Sequence, residues 1–127
     1  YTVGSIKRIP GYKQYAAVDG GMTDNPRYAL YQSRYTVYHG SKTGPTERFD
    51  VVGRCCESGD IIQPHVELPA DTCRGDILAV CTTGAYNYSM ASNYNRLPRP
   101  PIVMLTPEWS YTAVRRETFA DLTALDE

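Results

Sequence analysis

Apolar and polar residues alternate over short stretches along most of this chain, and nearly every stretch is closed by Gly, Pro or Asp. Residues 15–19, 34–39, 48–53, 77–81, 102–105 and 110–116 carry this pattern and read as strands. Six short strands with mostly non-helical connections predict a mainly β domain, a small barrel or a sandwich. Within 34–39, Tyr35, Val37 and His39 share one face while Arg34, Thr36 and Tyr38 share the other, so neither face is purely apolar. That strand belongs near an edge or an interface. Helical signals are few. Pro26, following Asn25 as a cap, opens one or two turns near residues 26–32, with Arg27 and Tyr31 on one face. Residues 85–92 predict a second short helix, with Tyr88 and Met90 available for packing. Phe119, Leu122 and Leu125 at three-residue spacing predict a terminal helix near 117–125 that docks by a narrow apolar stripe. The proline-rich stretch 97–101 reads as a rigid lead-in to the strand after it.

At 127 residues a single domain is the expectation, and 13 basic against 14 acidic side chains leave a net charge of −1. That balance gives no electrostatic reason for a nucleic acid or an anionic membrane as partner. No apolar run approaches the ~18 residues of a membrane span, and the first residues lack the apolar core of a signal peptide. A cytoplasmic location follows as the expectation. The 11 tyrosines suit half-exposed β faces rather than a deep core. The cysteines Cys55, Cys56, Cys73 and Cys81 match no zinc-knuckle spacing with each other or with His39 and His65, so no metal is expected. They read as reduced thiols, with Cys73 and Cys81 as small buried hydrophobes.

Three segments carry chemistry. Residues 18–27 (VDGGMTDNPR) end a strand on two glycines, which calls for a tight bend or a close approach to another surface. Beyond them Arg27 can grip a carboxylate with two N–H donors while Tyr31, one turn on, reaches the same ligand. A surface arginine beside a packing tyrosine is the alternative. Residues 53–60 (GRCCESGD) place two thiols and two carboxylates on a glycine-bounded loop, where a thiol can act as general acid and a carboxylate can hold an ammonium. A plain turn with the cysteines packed inward is the alternative. Residues 82–89 (TTGAYNYS) follow a strand and open a helix, a junction that suits a phosphate although no nucleotide-binding glycine pattern is present. His39 and His65 read as ordinary strand or loop histidines.

Taken together and in order, VDGGMTDNPRYALY, GRCCESGD and TGAYNYSMASNYN, with YTVGSIK at the start and RRETFADL near the end, resemble the C-terminal part of the diaminopimelate decarboxylases. These are members of the alanine-racemase-like group of pyridoxal-phosphate enzymes that act on ornithine, diaminopimelate and arginine. The resemblance covers nearly the whole chain. It implies a two-domain polypeptide in which an N-terminal (β/α)8 barrel binds pyridoxal 5'-phosphate, and residues 1–127 form a C-terminal β-barrel or sandwich domain with short helices. The lysine that carries the cofactor would lie in the barrel, since this chain offers only Lys7, Lys13 and Lys42. The chain is then expected to be a fragment, inactive alone, of a homodimeric enzyme of lysine biosynthesis that converts meso-2,6-diaminopimelate to L-lysine and CO2. Carried over by motif, Cys56 is the proton donor that crosses the dimer interface, and Glu57 binds the substrate's distal ammonium. Arg27 and Tyr31 hold the distal carboxylate, and Tyr86 stands at the cofactor phosphate and substrate. Tyr28 departs from the pattern, which more usually has Pro after the arginine. Two other readings stay open: a non-catalytic dimerisation or regulatory β module, and a related decarboxylase acting on carboxynorspermidine.

Overall fold

The computed structural model describes residues 1–127. In chain order it contains β1 (Val3–Ile9), β2 (Lys13–Val18), α1 (Arg27–Tyr31), β3 (Val37–His39), β4 (Thr46–Val52), β5 (Ile61–Pro69), β6 (Leu78–Val80), α2 (Asn87–Met90), β7 (Ile102–Leu105), β8 (Ser110–Val114) and α3 (Phe119–Leu122). The fold is mainly β with three short helices, none long and apolar enough to cross a membrane. One four-stranded sheet has the order β1-β2-β4-β5, and the pairs β3-β6 and β7-β8 stand as two-stranded sheets. No ladder closes these into a barrel.

Two strands escape the sequence pattern, β1 and β5. β5 contains Pro64, which has no N–H to give a ladder, and the strand absorbs it in a bulge. The register jumps from Phe49↔Val66 to Val51↔Gln63, so Pro64 and His65 together face Asp50. His65 takes a left-handed φ of 58° there, and its N–H donates to Asp50 Oδ1 at 2.9 Å. Asp50 is buried in the middle of β4 and also accepts from Lys13 Nζ at 2.7 Å, so its charge is partnered on both sides. In the apolar core Phe49, Val51, Ile62 and Leu68 are fully enclosed, joined by Val3, Ala16 and Val18 from the β1–β2 hairpin and by Val37 and Leu78 from the small sheet. Phe49 is the bulkiest of these, and its burial alone contributes roughly 1.5–3 kcal/mol.

Several local expectations are corrected. Residues 34–36 do not join β3, which starts at Val37. The side chain of Asn25 does not cap α1; Pro26 precedes the helix without a side-chain cap, and Asn25 is buried instead. Cys73 is exposed in the turn after β5, beside Lys42 Nζ at 3.3 Å, and Cys81 is only half-buried past the end of β6. α3 does not dock by an apolar stripe, since Phe119 is 77% and Leu125 95% exposed. Polar links hold it: a Thr118–Asp121 capping box, both Nη atoms of Arg115 on Asp121 at 2.6 and 2.8 Å, and Arg96 Nη1 on Leu122 O at 2.9 Å.

Just before α3, Glu117 accepts from Arg99 Nε at 2.7 Å, the Arg99 N–H at 2.8 Å and Asn93 Nδ2 at 2.6 Å. The Arg99 guanidinium and N–H hold its carboxyl at about 2, down from 4.5. Lys42 and the Cys73 N–H likewise hold the Asp76 carboxyl well below the usual range. Because both folded values lie below the unfolded ones, the stability they contribute is complete above about pH 4.5 and is lost as pH falls towards about 2. Chemical denaturation of the chain at pH 7, 4 and 3 should show a steady fall in midpoint, and Glu117→Gln should flatten that fall. An identical pH profile in the variant contradicts the assignment.

Candidate functional site

The site is set by a pairing of strands. β2 and β4 run parallel, with Tyr15↔Asp50, Ala16↔Val51 and Ala17↔Val52 in register, so their C-terminal ends lie side by side. The loops leaving those ends are residues 19–26 and 53–60, the two motif loops, and they meet at one end of the sheet. Asp60 joins them. Its buried carboxylate accepts the Met22 N–H at 2.6 Å through Oδ1 and the Cys55 N–H at 2.7 Å through Oδ2. Arg54 N–H donates across the same gap to Gly20 O at 3.0 Å, and Gly53 N–H donates to Asp60 O at 2.8 Å. The glycines explain themselves here. A Cβ on Gly21 would come 2.7 Å from Asp60 Oδ2, and one on Gly53 would overlap the same carboxylate, so only glycine lets the carboxylate sit between the loops. Asp24 ties the first loop further, accepting the Gly21 N–H at 2.8 Å and the Tyr1 hydroxyl. Burial pushes its carboxyl up, as it does the Tyr1 phenol.

The third motif joins through Ser92 N–H, which donates to Thr23 O at 2.8 Å. This brings Tyr86 to α1. The Arg27 guanidinium lies 4.8 Å from the Tyr86 ring centre and 5.4 Å from that of Tyr31. Its Nη1 donates to Met90 Sδ at 3.8 Å, and no carboxylate of the chain pairs with it. Arg27 is half-buried, whereas Tyr31 and Tyr86 are 61% and 66% exposed. The structure thus gathers Arg27, Tyr31 and Tyr86 into one cluster, with Met90 added to it. Such a cluster presents a half-buried, unneutralised cation flanked by phenols, and so can take an anion.

Cys56 and Glu57 stand apart. Both are exposed on the 53–60 loop, and no hydrogen bond or ion pair links them to Arg27. Glu57 turns its Oε1 back onto its own loop, accepting from the Gly59 N–H at 3.1 Å and Ser58 Oγ at 3.3 Å. The two adjacent thiols part company: Cys56 faces outward, while Cys55 packs inward. Burial, and then the Asp60 carboxylate, push the Cys55 thiol up, which keeps it a protonated, unreactive group. The inward-packed reading of this loop thus holds for Cys55 and not for Cys56. Sequence reasoning counted Asp60 as one of the two carboxylates of its loop and Met90 as packing. The signal for Asp60 was the set of glycines in both loops, which make room for a side chain distant in sequence.

The family described as pyridoxal-dependent decarboxylase, C-terminal sheet domain, matches residues 1–84. A diaminopimelate decarboxylase of Bacillus subtilis is 48% identical over 128 residues, covering 99% of this chain and 29% of the relative. Among solved structures, the diaminopimelate decarboxylase of M. jannaschii in complex with L-lysine superposes with a TM-score of 0.93 at 34% identity, covering 99% of this chain and 29% of that one. The Helicobacter pylori enzyme complexed with L-lysine gives 0.89 at 32% identity, covering 98% and 30%. The chain thus spans a little under a third of the length of the relatives it matches. With the sheet, the motif loops and two thirds of the sequence in agreement, the chain belongs to the pyridoxal-dependent decarboxylase family, as its C-terminal sheet domain.

Proposed function

We propose that this domain supplies the substrate-holding and proton-donating residues of an enzyme that decarboxylates meso-2,6-diaminopimelate to L-lysine. The observation that carries the reading is Arg27, a half-buried cation held between two tyrosines with no carboxylate of its own. Partly burying a cation without a counter-charge carries a cost that an anion arriving with the substrate offsets. A diamino acid with a carboxylate at its far end meets that requirement. Ornithine and arginine, which lack one, would leave Arg27 unpaired. Arg27 takes the distal carboxylate through its free N–H donors, Tyr31 adds a hydroxyl, and Glu57 swings off its loop to hold the distal ammonium.

Proton donation falls to Cys56. Its Sγ–H is exposed at a loop tip held by Asp60, and it delivers the proton to the carbon from which CO2 has left. Pyridoxal phosphate, when bound to the whole enzyme, supplies the sink for the electron pair released by that loss. The residues here fit only the rim of its site. The Tyr86 hydroxyl makes no hydrogen bond within the chain and suits a phosphate oxygen, but Lys13 and Lys42 are held by Asp50 and Asp76 at 2.7 Å, and Lys7 lies on β1. As the resemblance to the family implies, covalent attachment of the cofactor falls to a barrel domain elsewhere in the full polypeptide. Cys56 and Glu57, exposed and making no bond to Arg27, fit a homodimer in which the 53–60 loop reaches a neighbouring subunit. The exposed apolar hairpin β7–β8, with Trp109 and Tyr111 stacked at 4.9 Å, supports an extended contact with the rest of the enzyme.

In the full-length enzyme, Cys56→Ala should lower kcat far more than it raises KM, and Cys55→Ala should do much less. Arg27→Ala should weaken diaminopimelate binding by roughly 2–5 kcal/mol, the effect of truncating one partner of a buried charge pair. Steady-state kinetics with Cys55 dominant over Cys56 would overturn the proton-donor role. If Arg27→Ala penalised substrates with and without the distal carboxylate alike, the substrate assignment would fall. Brief alkylation followed by mass mapping should label Cys56 well before Cys55, and the reverse order would place the thiols wrongly.

A further inference from the structure

We propose that Met90 is a positioning residue for substrate selection: its sulfur fixes the edge of the Arg27 guanidinium so that the remaining N–H donors face a carboxylate ligand. This rests on the reading of Arg27 given above and concerns a residue to which that reading gives no role. Met90 closes α2, a single turn, and its N–H donates to Tyr86 O at 3.0 Å, so backbone and side chain of the turn act on the same pair of residues. Tyr86 precedes that turn with φ 71° and ψ −39°, an uncommon conformation for a bulky residue and one found where surrounding structure enforces it. The Ser89 hydroxyl also bonds Tyr86 O, at 2.8 Å. The outcome is that the Tyr86 ring stands 4.8 Å from the guanidinium carbon while Met90 Sδ, 3.8 Å away, takes an N–H of Nη1.

A guanidinium is planar, with five N–H donors in a fixed fork, so fixing one edge fixes the direction of the others. The chemical identity of the fixing group matters. A carboxylate at this place would orient Arg27 equally well but would neutralise it and repel the incoming anion. Thioether sulfur is a weak, uncharged acceptor, which orients the fork and leaves the whole positive charge for the ligand. Tyr31 and Tyr86 act in the same sense, since π faces attract the cation without cancelling it. The cluster holds a cation in place with neutral groups alone, and Met90 is the member that selects its rotation.

The test uses the full-length holoenzyme and two competitive ligands that differ only in the carboxylate concerned, L-lysine and 1,5-diaminopentane. Met90→Leu keeps the volume and removes the acceptor; Met90→Gln restores an uncharged acceptor. Met90→Leu should raise KM for meso-diaminopimelate and Ki for L-lysine about 3- to 10-fold, the range for loss of one neutral hydrogen bond, with kcat and the Ki of 1,5-diaminopentane unchanged. Met90→Gln should recover most of the loss. Equal weakening of both ligands in Met90→Leu, or no weakening of either, overturns the proposal. Arg27→Ala in parallel separates the two claims: if it fails to discriminate L-lysine from 1,5-diaminopentane, the Arg27 reading itself is wrong. If it discriminates and Met90→Leu does not, only the role of Met90 falls.

Discussion

The carboxylate of Asp60 occupies a space that two glycines leave open, and the rest of the site depends on it. Parallel pairing of β2 with β4 brings two loop origins together, but strand pairing ends at Val18 and Val52 and says nothing about how the loops beyond are arranged. Asp60 supplies that arrangement by accepting one N–H from each loop, Met22 on one side and Cys55 on the other. A buried carboxylate without a cation needs such donors to offset its desolvation, and here the donors are the backbone of the two loops it must join. Stability of the site and stability of this charge are therefore one requirement.

The same economy divides the chemistry. The Cys55 N–H is fixed to Asp60, and the thiol packs inward, so the next residue, Cys56, is carried outward. Adjacent identical side chains thereby acquire opposite environments. Across the junction, Arg27 is approached by two rings and a thioether but by no carboxylate, although the chain carries 14 acidic residues. Most of the other well-placed carboxylates are satisfied inside the domain: Asp50 by Lys13, Asp76 by Lys42, Glu117 by Arg99, Asp121 by Arg115. Of the cations left without a carboxylate, Arg27 is the one that is half-buried.

Local chemistry made much of this legible from the sequence. β2, β4, β6, β7 and β8 follow alternation and turn residues, and α1 follows Pro26, because each is decided by neighbours a few residues away. What the pattern missed is non-local. β5 is absent from the six strands read in the sequence, and it runs on through Pro64 because a bulge opposite Asp50 takes up the proline. α3 reads as an apolar stripe, yet the partners available to it are Arg96 and Arg115, and polar bonds win. The loop motifs were recognisable as candidate chemistry, and the structure gathers Arg27, Tyr31 and Tyr86 around one guanidinium. Asp60 and Met90 were not, since each acts on a residue 38 or 63 positions away in sequence.

Hydrogen–deuterium exchange on the full-length enzyme bearing Asp60→Asn tests the central claim most directly. An amide in place of the carboxylate keeps the shape but turns an N–H2 group towards one of the two backbone donors. If Asp60 joins the loops, protection should fall together at the Met22 and Cys55 amides and spread through residues 19–26 and 53–60, while β2 and β4 stay protected. Loss confined to the 53–60 loop, with the Met22 amide as protected as before, would contradict the account.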